Sequence, residues 1–406
     1  MQERVRKTVA LSALVLLGTA VALFAVEAVL RVMPSANRYY VWPPYTRRVW
    51  QPPPEIFPGI FGTSRFTVSS DGVRGRELGA IGTEYRILAI GGSTTEAGAV
   101  DDSEAWTALV EQRLGRTADG RSTWVGNVGR SGMNSRDHVL HVRYLSTQYS
   151  GIDALLILVG VNDLTVTLAQ GEQYVPPPSL AEPSLYQASI ERAFSVAPGH
   201  FREYLLDGEA VPAGPWYKNT ATWNLVRRTR RIVEMRFSDA ALEDDTEGQN
   251  LAAWRKQRQA APVRLEHLPN LSLPLSEYRL NLNAIADLAK ARRQRLIFLT
   301  QPTIWRAGLT RAAEDRCWLG GTGDFQRRQS PAYYSVEALA EAMRLFNETL
   351  LQVANERGIE VIDLAAKIAK DESNFFDDAH FTELGERRVA DVVVEYLGSQ
   401  PPYAHD

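Results

Sequence analysis

The chain predicts a three-layer α/β/α sandwich built on a parallel five-stranded sheet, with an N-terminal transmembrane helix ahead of it. Three observations carry this. Five short apolar runs recur along the chain, amphipathic helical patterns lie between them, and an uncharged apolar segment, Thr8–Val26, lies near the N-terminus. The runs are Arg86–Ile90, closed by Gly91-Gly92; Trp124–Val128, closed by Gly129; Ala154–Val159, closed by Gly160; Arg295–Thr300, closed by Gln301-Pro302; and Ile359–Asp363. Continuous apolar runs of this length suit strands buried on both faces, as parallel sheets require. Between them, Ser103–Leu114, Ser135–Tyr149, Tyr278–Arg293 and Val336–Arg357 place apolar residues three and four apart, and Ala390–Leu397 gives a final helix. Strand alternating with helix makes a parallel sheet covered on both faces. Ligands of such sheets bind beyond the carboxyl ends of the strands, so functional residues are expected just after the runs.

Thr8 to Val26 carries no charge, and apolar character continues past Glu27 to Val32. About 20 apolar residues at about 1.5 Å rise cross a hydrocarbon core. A cleaved secretory signal has a shorter apolar region followed by a small-residue site. Here Ala20-Val21-Ala22 lies inside the run, which favours a retained signal anchor over residues 1–33. Arg4, Arg6 and Lys7 precede the run and favour an inside N-terminus, with the remaining domain outside the cytoplasm; Arg31, Arg38, Arg47 and Arg48 follow it and oppose that orientation.

Residues 34–83 are rich in proline and aromatics (Tyr39, Tyr40, Trp42, Pro43, Pro44, Tyr45, then Pro52-Pro53-Pro54) and are expected to form an extended linker and lead-in. Its aromatics suit either a membrane surface or packing on the domain. The catalytic-type domain spans 84–400. Residues 165–275 interrupt the alternation with many prolines and a polar stretch, so they form an insertion, partly helical around 217–236, that serves as a cap or as a surface excursion.

The chain has 406 residues, 45 % hydrophobic and 23 % charged, with a formal net charge of −3, an ordinary globular balance with no nucleic-acid footprint. The run Arg227-Arg228-Thr229-Arg230-Arg231 is expected to be a solvated helix face. Cys317 is the single cysteine, which excludes an internal disulfide and a cysteine-based structural zinc site. His138 and His141 form H-x-x-H without the glutamate of a metalloprotease, and read as ordinary helix residues.

Four positions can carry chemistry. Ser93 follows the first run in Gly91-Gly92-Ser93-Thr94-Thr95, where glycines let the backbone turn sharply. It is not the G-x-S-x-G elbow of α/β-hydrolases, because Thr95 holds the last position. Gly132, after the second run, can offer an uncluttered N–H, although alone it reads as a turn glycine. Asn162, in Gly160-Val161-Asn162-Asp163, can donate amide hydrogens or cap the next element. Asp377-Asp378-Ala379-His380 places a base near the C-terminus, with a carboxylate three residues earlier that can fix its tautomer.

Each position is weak alone. Their order after successive runs resembles the four blocks of the SGNH/GDSL hydrolase superfamily, over roughly 84–165 and 276–397. The tail Asp377-x-x-His380-Phe381-Thr382-x-x-Gly385 is the most specific piece. The resemblance implies Ser93 as nucleophile, His380 as base, Asp377 as its partner, and Ser93, Gly132 and Asn162 as oxyanion hole, with no metal or organic cofactor. Gly92 departs from the family signature, which has Asp there. Asp378 is then expected to face solvent or cap the following helix.

The function this implies is a membrane-anchored serine esterase or deacylase acting on an O-acylated glycan or lipid. An O-acetyltransferase of a cell-envelope polysaccharide would use the same residues. A catalytically idle binding module would have lost Ser, Asn or His, and all are present. The partners implied are an acyl-ester substrate and the membrane, and no nucleic acid.

Overall fold

The computed structural model describes residues 2–32, 40–42, 44–176, 215, 217, 220–237, 242–327 and 330–404. They divide into two compact units, one of Met1–Tyr39 with Ser179–Asp239, the other of Tyr40–Pro178 with Ala240–Asp406.

The larger unit opens with β1 (Arg47–Trp50) paired antiparallel to β2 (Ser64–Thr67). This differs from the extended linker expected here. The prolines 52–54 and 58 all lie in the connection, where no ladder N–H is needed, so both strands can pair. Trp50, Phe57, Ile60 and Phe66 are buried, as is Tyr40, so these apolar side chains pack within the unit. Tyr39 lies outside the described residues.

The central sheet comprises β3 (Glu84–Gly91), β4 (Ser122–Asn127), β5 (Ala154–Leu158), β7 (Arg295–Leu299) and β9 (Glu360–Ile362). Its order is β4-β3-β5-β7-β9, and every neighbouring pair is parallel. All eight residues of β3 and all five of β5 are buried, as strands covered on both faces must be. A second parallel pair, β6 (Val263–Leu265) with β8 (Ala332–Tyr334), stands apart from this sheet.

Helices pack together in two groups around the sheet. α4 (Ser135–Gln148), α8 (Ser272–Ala291) and α10 (Val336–Arg357) form one, with α5 (Val161–Gln170) against α8 and α10; α3 (Trp106–Leu114) and α12 (Glu383–Gly398) form the other. The chain also contains the short helices α2 (Ser93–Glu96), α9 (Arg311–Glu314) and α11 (Leu364–Lys367), and the longer α7 (Thr246–Ala260). The last helix begins at Glu383, seven residues before the periodic pattern suggests. Thr382 caps it by accepting the Gly385 N–H, and this fixes the helix start three residues after His380.

The strand order places the winding reversal at β3 and β5, whose helices leave in different directions. Ligands of open parallel sheets bind at that reversal, outside the strand ends. Ser93 follows β3 by two residues and Asn162 follows β5 by four.

In the smaller unit, α1 (Gln2–Val32) packs against α6 (Ala221–Phe237). Arg6–Val32 is long and apolar enough to cross a membrane, with mean hydropathy 2.5 and no residue buried. Of the expected insertion, residues 177–214, 216, 218, 219 and 238–241 lie outside the described residues.

Candidate active site

β3 ends at Gly91, and the chain turns at Gly92 directly into α2, so Ser93 is the first helical residue. A Cβ at Gly92 would stand 2.3 Å from Asn162 Nδ2 and 3.3 Å from the Met133 carbonyl. The missing side chain thus lets the Asn162 amide close on the serine turn. This is the physical content of the departure at Gly92: the aspartate of the family signature would have to displace Asn162.

His380 and Ser93 are far apart in sequence and meet across the sheet edge, with His380 Nε2 2.7 Å from Ser93 Oγ. On the other side of the ring, Nδ1 lies 2.8 Å from Asp377 Oδ2 and 2.9 Å from Oδ1. The Asp377 carboxylate also accepts the backbone N–H groups of Ala379 at 3.0 Å and His380 at 2.9 Å. Residues 377–380 therefore form a tight turn that folds the carboxylate back beside the imidazole.

Burial lowers the basicity of His380, but the Asp377 charge and hydrogen bond outweigh it and hold the imidazole above the usual histidine range. Burial alone would raise the Asp377 carboxyl. The His380 charge and hydrogen bond, with Arg255 nearby, bring it below the usual carboxylate range. The pair is poised as a charged orienter and a strengthened base.

Asp378 corrects an expectation. It neither faces solvent nor caps α12, but is fully buried. Its Oδ1 accepts the Trp305 indole N–H at 2.8 Å, and its Oδ2 accepts the Trp318 and Leu319 backbone N–H groups at 2.7 and 3.1 Å. Trp318 links the adjacent carboxylates, because its indole N–H donates to Asp377 Oδ2 at 2.9 Å. Burial, reinforced by the Asp377 charge, pushes the Asp378 carboxyl up.

Gly132 lies in the loop after β4 with φ of 74°, a left-handed conformation that favours glycine. The next residue, Met133, offers its carbonyl to Asn162 Nδ2 at 2.7 Å, so the Gly132 loop and Asn162 are joined. That bond uses one amide hydrogen and leaves the second for a ligand. The loop is also tied to the serine helix, since the Ser131 N–H and hydroxyl both donate to Glu96, the hydroxyl at 2.7 Å. Asp163 anchors the start of α4 by accepting the Ser135 N–H at 3.1 Å, and burial pushes its carboxyl up to about 7.

The arrangement joins Ser93, His380 and Asp377 into one hydrogen-bonded chain and brings Asn162 and the Gly132 loop to the same edge. Glu96, Trp305, Trp318 and Arg255 were not found by sequence reasoning. Arg255, on α7 within the expected insertion, donates to the carbonyls of Phe376 at 3.1 Å, Ile56 at 2.8 Å and Arg316 at 2.8 Å. Trp254 stacks on Trp318 with ring centroids 4.7 Å apart. Thus α7 supports the histidine turn from behind. His138 and His141 are buried within α4, and burial lowers His138 to about 3.

Residues 89–388 match the GDSL-like lipase/acylhydrolase family. The chain belongs to that family. It is accordingly an ester-hydrolysing enzyme. Among solved structures it is similar to a lipolytic G-D-S-L protein from Veillonella parvula (12 % identity, 78 % of this chain and 100 % of that one, TM-score 0.39). It is also similar to an acetylxylan esterase from Geobacillus stearothermophilus (14 %, 78 % and 95 %, 0.38). A third is an α/β hydrolase from the metagenome of Lake Arreo, Spain (13 %, 77 % and 94 %, 0.38). No curated protein matches the sequence.

Proposed function

We propose that this GDSL-like hydrolase deacylates an O-acylated glycan or lipid outside the cytoplasm, with Ser93 as nucleophile. The observation that carries this reading is the continuous chain from Ser93 Oγ through His380 to Asp377. Ser93 Oγ attacks the ester carbonyl carbon while His380 Nε2 takes its proton. Asp377 stabilises the resulting imidazolium and fixes the tautomer. The carbonyl oxygen becomes an oxyanion, met by the N–H groups of Ser93 and Gly132 and the free Asn162 amide hydrogen. The tetrahedral adduct collapses, His380 returns its proton to the leaving alcohol, and water repeats the sequence to release the acid.

Asn162→Ala is expected to lower kcat by about a hundred-fold to a thousand-fold, the scale for one oxyanion donor, and to leave KM nearly unchanged. The charge it meets exists only in the transition state. Steady-state kinetics on a p-nitrophenyl ester reads this, and normal kcat with raised KM would reduce Asn162 to substrate positioning.

Trp318→Phe keeps the aromatic ring against Trp254 and the backbone donor to Asp378, but removes the indole N–H from Asp377. A hydrogen bond to a charged group is worth about 1.5–3 kcal/mol, so kcat should fall by roughly ten-fold to a hundred-fold at similar KM. Unchanged kcat would mean that the backbone donors alone hold the carboxylate.

The extracytoplasmic placement rests on the apolar α1 and the basic residues ahead of it. Full-length protein is expected to remain with membranes through carbonate extraction. A mature N-terminus after Ala22 or Ala36 would instead mark a cleaved signal. Substrate class is read by offering the detergent-solubilised chain O-acetylated oligosaccharides and acyl lipids side by side and analysing products. Free carboxylic acid supports deacylation, whereas acyl transfer onto an added sugar would support an O-acetyltransferase.

A further inference from the structure

Glu27 is the only acidic residue in the α1 span, just past the uncharged run Thr8–Val26. At about 1.5 Å per residue that run matches the thickness of a hydrocarbon core, so Glu27 stands at its edge. A carboxylate there is costly unless partnered. Its partners are specific. Oε1 accepts the Ala221 N–H at 2.9 Å, Oε2 accepts the Thr222 N–H at 2.9 Å and the Thr222 hydroxyl at 2.8 Å, and Arg31 Nε approaches Oε1 at 2.8 Å. Glu27 therefore caps α6 and ties its first turn to the exit end of the span, so α6 starts at the depth where hydrocarbon gives way to headgroups.

What α6 carries suits that depth. Its sequence holds five arginines, Arg227, Arg228, Arg230, Arg231 and Arg236, against the single acid Glu234, which pairs with Arg230 at 2.7 Å. Arg227, Arg228 and Arg231 lie close together in the sequence. Trp223, Leu225, Val226 and Val233 are exposed, and the exposed Tyr217 packs edge-on against Trp223 with ring centroids 5.2 Å apart. A basic helix with exposed apolar residues and aromatics is the composition of a segment lying in a bilayer interface. A hydrated polyanion would use the arginines but leave the aromatic and aliphatic residues in water.

We propose that α6 is an interfacial helix that binds anionic phospholipid headgroups around the exit of α1. This goes beyond the solvated helix face expected for the arginine run, and it rests on the reading of α1 as a membrane span. The interaction adds a second membrane contact to the anchor and holds the 221–237 segment at the bilayer surface.

The test uses the full chain with Val233→Cys labelled by an environment-sensitive fluorophore. Cys317 is fully buried, so the new thiol is the one accessible to reagent in the native protein. The protein is placed in phosphatidylcholine nanodiscs with and without phosphatidylglycerol. Emission is expected to shift to the blue with phosphatidylglycerol and to return towards the aqueous position at high salt. Arg227→Gln/Arg228→Gln/Arg231→Gln should cost on the order of a hundred-fold in the interfacial-to-free ratio of the helix and abolish the shift, with ester turnover unchanged. Aqueous emission in both lipids, a shift that survives the triple substitution, or the same shift from heparin in detergent without lipid would each overturn the proposal. Carbonate extraction of the same protein separates the two readings: retention without a lipid-dependent shift refutes only the role of α6, whereas release refutes the span itself.

Discussion

Replacing Ser93 with alanine is expected to reduce ester turnover by about a million-fold, down to the residual rate that binding and oxyanion donors supply without a nucleophile. The Ser93 hydroxyl is the one hydroxyl within hydrogen-bond distance of His380 among the described residues. The substitution leaves the fold intact for a local reason. Ser93 is partly exposed and starts a short helix whose N-cap, Gly92, makes no side-chain bond, and α2 closes through the Gly92 and Ser93 carbonyls, which alanine retains. Circular dichroism and the melting temperature should therefore match those of the parent. A folded Ser93→Ala protein with unchanged turnover would remove Ser93 from the mechanism.

The second large effect separates two neighbouring carboxylates. Asp377→Asn is expected to lower kcat by about ten-thousand-fold, because an amide can donate to Nδ1 and hold the imidazole in the wrong tautomer. It should also move the pH profile. The base must be neutral to accept the serine proton, so activity rises as His380 loses its own proton. With Asp377 charged, the midpoint lies above the usual histidine value. Without that charge, burial acts unopposed by its main counterweight, and the midpoint should move to lower pH.

Asp378→Asn should act differently. The buried acid receives three N–H donors through its two oxygens, and an amide offers only one acceptor oxygen while bringing its own hydrogens against donors. The expected result is a loss of about 1–3 kcal/mol in stability, the scale for leaving a buried polar group unsatisfied, with the pH midpoint of turnover moved less than in Asp377→Asn, because Asp378 raises His380 less than Asp377 does. Thermal melts and pH–rate profiles of the two variants distinguish these roles. A pH midpoint that moves only in Asp378→Asn would reverse the assignment.

These contrasts show where sequence reasoning reached and where it stopped. The five central strands were legible because both faces of a parallel strand are buried, which leaves unbroken apolar runs such as Ala154–Leu158. Ser93, Gly132, Asn162 and His380 could be picked out as candidates because each follows a strand end or precedes the last helix. The start of α12 was obscured by Gly385 and the polar stretch around it, although Thr382 was a capping signal. The β1–β2 pair was hidden by its proline-rich connection. Trp305 and Trp318 were beyond reach for another reason: they lie 73 and 60 residues before Asp378, with no motif to mark them. A long-range indole hydrogen bond leaves no periodicity. Asp378 was misread for the same cause, since a carboxylate near a helix start has a local explanation until its distant donors are known. Arg255 shows that part of the proline-rich insertion is structural support for the histidine turn.

The most direct measurement of the central claim is covalent labelling of the full-length protein by a fluorophosphonate, followed by mass spectrometry of the modified peptide. A phosphonate attached to Ser93, with labelling suppressed as pH falls through the His380 midpoint, is the expected result. Modification of another residue under conditions in which ester turnover is lost, or full loss of turnover with Ser93 unmodified, would contradict the account.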